Sequence, residues 1–247
     1  MAEDSLKSLL KVVAILDAFS TSQRSLSLAE LSAATGFPRS TAHRLAASMR
    51  NAGLLDQDGQ RDRYRLGLKL FELGNTVLAN MDLHREARPF VDALSQVTGH
   101  LVHLAVFDGQ QAIVIHRVAA DSGTPLTLIE AAPAHCTSVG KAILAFQPMA
   151  RIDAIVAGGL KRFTDTTIID GRKLKSELKA IRARGYAIDE GEHQPGIRCV
   201  GAPVHDRTGR VVAGLSVSGP ARRLKKDQVA DLAKIVVHHA RLMTAKL

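Results

Sequence analysis

The 247-residue chain has no tryptophan, two tyrosines and two cysteines, Cys136 and Cys199. Two thiols cannot build a disulfide scaffold, and their separation lacks the CxxC spacing of a zinc cross-brace, which fits a reducing cytoplasm. No stretch approaches the roughly 20 consecutive apolar residues of a membrane span, and Glu3 and Asp4 sit where a secretion leader would be basic and then apolar. A secreted or membrane-embedded protein is therefore not expected. The composition is 46% hydrophobic and 23% charged, with a mean hydropathy of +0.02. That excludes a disordered tail or a fibrous repeat and leaves one large or two modest domains.

Charge of one sign is in excess: 33 Lys and Arg face 24 Asp and Glu, a net +9. The excess permits a polyanionic partner, but residues 1–82 hold 10 cations against 9 anions, so the total does not locate it. A local gap does. No acid occurs between Glu30 and Asp56, where Arg39, Arg44 and Arg50 fall.

Periodicity organises that segment. Leu6, Leu9, Leu10, Val13, Leu16 and Phe19 repeat at helical spacing and predict a first helix from Asp4 to Phe19 with that stripe buried. Ser27 and Glu30 form a capping box for a short helix over Leu28 to Ala34, stopped at Thr35-Gly36. Pro38 then opens another helix, with Ala42, Leu45 and Met49 inward, ending before Gly53. Leu54-Leu55, an Asp58-Gly59 turn and Tyr64 to Leu66 predict a hairpin. Two helices about a tight turn followed by a small hairpin describe a winged helix-turn-helix.

On the second helix, Arg39, Ser40, His43, Arg44 and Ala47 share the face opposite the apolar residues, with Thr41 at the flank. Such a helix fits the major groove, where arginine pairs with guanine and hydroxyls serve bases or phosphates. Alternation in the hairpin sends Arg61, Arg63 and Arg65 to one side and Tyr64 and Leu66 to the other, a basic edge suited to phosphates or a minor groove. A solvated charged face is the plain alternative for either arginine set. Double-stranded DNA is the expected partner.

From Gly67 to about Met81, Leu70, Leu73, Val77 and Met81 predict a linker helix. Beyond it the pattern changes to a helix over Arg88 to Gln96, strands over Leu101 to Phe107, Ala112 to His116 and near Leu126 to Ile129, and helices at 138–146, 149–157 and 171–184. Strands over Tyr186 to Asp189, Ile197 to Val204 and Arg210 to Ser218 precede a last helix from Asp227. This half reads as an α+β domain on a mainly antiparallel sheet.

The segments LAELSAATGFPRSTAHRL, HCTSVGKAILA, RARGYAIDEGEHQPGIRCVGAPV and GRVVAGLSVSGP, in this order, resemble the IclR family of bacterial transcriptional regulators. The resemblance covers nearly the whole chain. It implies a winged helix-turn-helix over 1–66, a dimerising linker helix over 67–83, a GAF-like effector domain over 84–247, and dimers or tetramers on operator DNA.

A ligand site follows from the last two segments. If Asp206 to Gly209 form a four-residue loop, His205 lies opposite Arg210 and Cys199 opposite Ser216, which brings Cys199, Ser216 and Ser218 to one face. Thr137 or Ser138 caps a helix whose first amides, near Ser138, Val139 and Gly140, point free and attract anions. The expected pocket holds a carboxylate on these amides and the two serines, with Cys199 and Asp189 closing it; the family's effector pocket involves the positions matching Ser138, Val139, Asp189, Cys199, Ser216 and Ser218. Beside an anion Asp189 must accept a ligand hydroxyl, be protonated, or orient the loop from Glu190 to Gly196. With 4% aromatic residues an aliphatic hydroxy- or oxo-acid is favoured over a stacked ring.

Other classes fit less well. HCTSVGKA lacks the first glycine of a phosphate-binding loop and ends in Ala142, which excludes nucleotide hydrolysis. A nucleophilic Cys136 or Cys199 with His135 or His193 has no family signature. Metal sensing through His135, Cys136, Asp189 and Cys199 has suitable ligand types but no diagnostic spacing. The expectation is a regulator sensing a small carboxylate, with no catalysis and no cofactor.

Overall fold

Among its described side chains, helix α1 (Ala2–Asp17) buries Ile15, with Val12 and Leu16 packed beside it and Phe19 just beyond its end. The longer apolar stripe expected from the sequence is not buried, because Leu9, Leu10 and Val13 stand exposed. The small core that receives α1, built on Leu26, Leu31, Ala46, Met49, Leu55 and Tyr64, reaches only its last turns. The structure, a computed structural model, describes residues 2–20, 22–57, 62–119 and 130–247, without the side chains of 2–6 and 130. The expected Asp58-Gly59 turn, Arg61 and the strand near Leu126 to Ile129 lie outside the described residues.

Strand β1 (Leu26–Ser27) leads into α2 (Leu28–Thr35). The capping box forms as expected: Ser27 Oγ accepts from the Glu30 amide at 3.3 Å, and Glu30 Oε2 accepts from the Ser27 amide at 2.7 Å. Gly36, at φ 70°, ends the helix in the left-handed region. Pro38 stands at the N-cap of α3 (Arg39–Asn51), which buries Ala42, Ala46 and Met49. Strands β2 (Leu55–Gln57) and β3 (Arg63–Leu66) pair antiparallel, and β1 adds to the far side of β3. Two residues are too short to show alternation, so β1 was not legible in sequence. Of the two residues expected on the face opposite the arginines, Tyr64 is buried and Leu66 is exposed; β1 pairs with β3 only as far as Tyr64.

Helix α4 (Leu68–Ala79) follows Gly67 and ends a compact unit running from Met1 to Asn80. Leu68, Phe71, Leu73 and Val77 on it are exposed, and among its described residues only Leu78 is buried.

The second unit, Met81–Leu247, starts with α5 (Asp82–Thr98), longer than the stretch expected from Arg88 to Gln96. There follow β4 (Leu101–Phe107), β5 (Gln111–Val118), β6 (Glu130–Pro133), α6 (Ser138–Leu144), α7 (Met149–Ala157) and α8 (Gly171–Arg184). The chain closes with β7 (Ala187–Glu190), β8 (Ile197–His205), β9 (Val211–Pro220) and α9 (Val229–Lys246). Among the described residues the strands form one antiparallel sheet in the order β6-β5-β4-β9-β8-β7. Helices α5 and α9 pack together on the sheet, while α6 lies against β8 and β9 and carries the core of α7 and α8 on its other side. The α+β architecture with a mainly antiparallel sheet is thus observed.

The β8–β9 register differs from the expectation by two residues: Cys199 faces Ser218 and Gly201 faces Ser216. The loop runs from Asp206 to Arg210, with Asp206 Oδ1 accepting from the Thr208 and Arg210 amides at 2.8 and 3.0 Å. An irregularity at Val204/His205 adds one more residue on β9. Two single-residue errors cancel in parity, so Cys199, Ser216 and Ser218 still share a face.

Candidate DNA-recognition helix and effector cavity

In the first unit, α3 turns Arg39, Ser40, His43 and Arg44 to solvent and leaves Thr41 and Ala47 half-buried. Among the described residues no hydrogen bond or ion pair engages the guanidinium of Arg39 or of Arg44. Arg50, by contrast, donates from Nη1 to Gln57 Oε1 at 2.9 Å and ties the helix to the wing. Arg63 and Arg65 are tied as well. Arg63 donates to Ser25 Oγ and Ser25 O at 3.1 and 2.8 Å and pairs with Glu30 at 2.9 Å, while Arg65 pairs with Asp56 at 2.6 Å. Two of the three arginines expected on a basic edge are therefore paired with carboxylates of the same unit, Arg63 with Glu30 on α2 and Arg65 with Asp56 on β2. On α3 the exposed cations without a partner among the described residues are Arg39 and Arg44.

In the second unit a cavity of about 380 Å³ opens over the sheet under the start of α6. Strand register makes its floor. Asp189, Cys199, Ser218 and Leu101 align across β7, β8, β9 and β4, and the next row on the same face reads Gly201, Ser216, His103 and Arg117 across β8, β9, β4 and β5. Two glycines bring α6 down onto this floor. A Cβ on Gly201 would meet the backbone of Ser138 at 2.8 Å, and one on Gly214 would meet Val139 Cγ2 at 2.8 Å. Glycine here is a requirement of close approach.

Of the expected pocket residues, Ser138, Val139, Asp189, Cys199, Ser216 and Ser218 line the cavity. Gly140 does not. Its amide is taken by Thr137 Oγ1 at 3.1 Å, which caps α6, and a Cβ there would meet that same oxygen at 2.6 Å. The expectation of a free Gly140 amide is corrected: the cap leaves the amides of Ser138 and Val139 only.

The electrostatics follow from burial. The Cys199 thiol is pushed up to about 12 by burial and the nearby Asp189 carboxyl, and it accepts the Ser218 hydroxyl at 3.0 Å. Cys136 is likewise pushed up to about 12 by burial. His103 is driven down to about 4 by burial and by Arg117, so its ring is uncharged at neutral pH, and its Nδ1 stands 3.5 Å from Ser218 Oγ. Burial raises Asp189 above the usual carboxylate range. Asp189 accepts the Glu192 amide at 2.7 Å, so it orients the loop that starts at Glu190, and Glu192 itself is paired with the buried Lys141. Among the described residues no group of three or more His, Cys, Asp and Glu is placed to hold a metal ion.

Comparison with known proteins decides the family. The profile described as bacterial transcriptional regulator IclR C-terminal matches residues 75–245, and the IclR helix-turn-helix domain matches residues 8–59. This chain belongs to the IclR family. Among IclR-family relatives, the transcriptional regulator KdgR of Escherichia coli is 34% identical over 99% of this chain and 94% of its own length. The IclR transcriptional regulator of Alicyclobacillus acidocaldarius has the same fold, with a TM-score of 0.81 at 22% identity over 97% of this chain and 98% of that one. So does an IclR homologue of Microbacterium hydrocarbonoxydans complexed with 4-hydroxybenzoate, with a TM-score of 0.78 at 23% identity over 97% and 98% of the two chains.

The IclR pattern did not single out His103, Arg117, Arg223 or His193, all of which line the cavity. A signal existed for the first two. Each is a titratable residue inside an otherwise apolar strand segment, LVHLAVF and QAIVIHRV, and the β4–β5 register sets them side by side. Arg223 and His193 lie outside the strands, where alternation says nothing.

Proposed function

We propose that this IclR-family regulator reads operator DNA with α3 and senses a small organic acid in the cavity of its second unit. Residues 1–66 are assigned to DNA binding, 67–83 to the linker helix and 84–247 to a GAF-like effector domain. On α3 the assigned contacts are Arg39, Ser40, Thr41, His43 and Arg44; Arg63 and Arg65 brace the wing and meet phosphates only at the edge left by their carboxylate partners. The observation that carries this reading is that Arg39 and Arg44 stand exposed on the second helix of a helix-turn-helix, without a hydrogen-bond or ion-pair partner among the described residues.

For the effector, the Ser138 and Val139 amides with Ser216 and Ser218 receive a carboxylate, and Cys199 and Asp189 close the site. Among the described residues the cavity is lined by the aliphatic Leu101, Val114, Val139 and Ile197 and by no Phe or Tyr, which supports an aliphatic acid; the 4-hydroxybenzoate held by the Microbacterium homologue supports the carboxylate. Thiols raised to about 12 are poor nucleophiles and poor metal ligands at neutral pH, which favours sensing over catalysis or metal binding. No helix among the described residues is long and apolar enough to cross a membrane, and a cytoplasmic homo-oligomer is proposed. An effector changes operator affinity only through different affinities for two states of the protein, and α4 is the proposed transmitter.

Titration of promoter fragments tests both halves. Arg44→Ala is expected to weaken specific binding by roughly 1–3 kcal/mol and to relax preference at one base pair. An equal loss on random DNA would reassign Arg44 to a phosphate. Ser218→Ala is expected to abolish the response to acids while leaving unliganded operator binding intact.

A further inference from the structure

The cavity carries more positive charge than one carboxylate answers. Arg117 projects from β5 into it, and the Arg117 Nε is buried without a hydrogen-bond partner among the described residues. Among the described residues no ion pair engages Arg117. Arg223, exposed in the turn that follows β9, lines the same cavity and is also without an ion-pair partner among the described residues. Among the described residues lining the cavity the acid is Asp189, which stands at the other end of the polar floor on β7 and is committed to the Glu192 amide. His103, the neighbour of Arg117 in the row, is neutral at physiological pH and cannot compensate it.

Position matters as much as charge. The Ser138 and Val139 amides lie over Gly201 on β8, and Ser216 is on β9 beside it. Arg117 stands two strands further on, across β4, a separation of about 10 Å between strand axes at the usual spacing. That spacing between strand axes is of the order spanned by a short carbon chain. A dry, unpartnered N–H in a fork geometry is best satisfied by a carboxylate that accepts from Nε and Nη together.

We infer that the effector is a dicarboxylate, one carboxylate over β8 and β9 at the Ser138 and Val139 amides and the other at Arg117, with Arg223 at the mouth adding to the attraction. This rests on the carboxylate reading proposed above. In this arrangement Arg117 is the residue that decides specificity, selecting two charged ends over one charged and one apolar end. A cavity of about 380 Å³ accommodates a chain of four to eight carbons with room for substituents on it.

Calorimetric titration of the full-length protein with a matched series provides the test: butanedioate to octanedioate against butanoate to octanoate. Wild type is expected to bind at least one dicarboxylate more than tenfold tighter than the monocarboxylate of equal length. Arg117→Gln is expected to bring the two within about twofold while leaving the monocarboxylate unchanged, and Arg117→Lys to restore part of the preference. Melting of each variant in the absence of ligand checks that the fold is retained. Equal affinity for both series in wild type, or a loss in Arg117→Gln that is the same for both, overturns the inference while leaving the carboxylate site standing. Binding of neither series overturns the carboxylate site along with it.

Discussion

His103 is apolar in its surroundings and polar in its contacts, and the two set its charge. A free imidazole takes up a proton near 6.5, whereas in the fold burial and the Arg117 charge hold it off to about 4. Between those values the unfolded chain binds a proton that the folded chain refuses. Stability from this group is therefore full above 6.5 and falls as pH drops toward 4, by on the order of 3 kcal/mol across the window. Glu192 works with the opposite sign, since burial raises it to about 7 from an ordinary 4.5 and stability falls as pH rises through that range. Comparing wild type with His103→Gln between pH 4 and 7 cancels Glu192, and the variant is expected to lose the acid-side slope; identical slopes would show that His103 protonates freely in the fold. At the same scale, Arg63 shows how a residue's type can be legible while its role is not. Its place on a basic hairpin could be read from the chain, but its bonds to Ser25 and Glu30 join segments 38 and 33 residues away, which no local pattern reports.

At the level of elements, α6 is a short helix held in place by what is missing beneath it. Gly201 and Gly214 remove the side chains that would keep it off β8 and β9. Gly201→Ala places a methyl group within 2.8 Å of the Ser138 backbone, which cannot rotate away. The expected result is a destabilisation of about 1–3 kcal/mol from overpacking together with loss of carboxylate binding, read as a lower Tm and no ligand-induced shift. An unchanged Tm would mean that α6 does not sit on the sheet as described. The elements themselves were largely readable: the capping box of α2, the extent of β4, α7 and α8, and the glycine stop after α8 all follow from local rules. Register was not, because it depends on how the Asp206 side chain gathers its loop and on an extra residue in β9.

For the whole molecule, the exposed apolar residues of α4 are the feature that an isolated chain does not explain. Leu68, Phe71 and Val77 lie 79%, 67% and 60% exposed along one helix, more than scattered surface residues need. The homo-oligomer proposed for this regulator covers such residues. Phe71→Glu is expected to shift sedimentation toward the monomer and to weaken binding to a two-half-site operator, with the monomer's own stability changed by less than about 0.5 kcal/mol. Wild type sedimenting as a monomer at all concentrations would remove α4 from any interface.

Taken alone, the order of residues determined the parts: which segments are helices and strands, where glycine and capping residues end them, and that arginines gather on the exposed side of α3. These are short-range consequences of backbone sterics and of apolar periodicity, felt within a few residues along the chain. Only the tertiary structure decided what the parts make together. Pairing β5 with β4, and β4 with β9, set Arg117 and His103 beside Ser216, and the closeness of α6 to Gly201 turned that row into the floor of a cavity. Such neighbours are chosen by hydrogen bonds between strands distant in sequence, and their charge state is chosen by the burial that results.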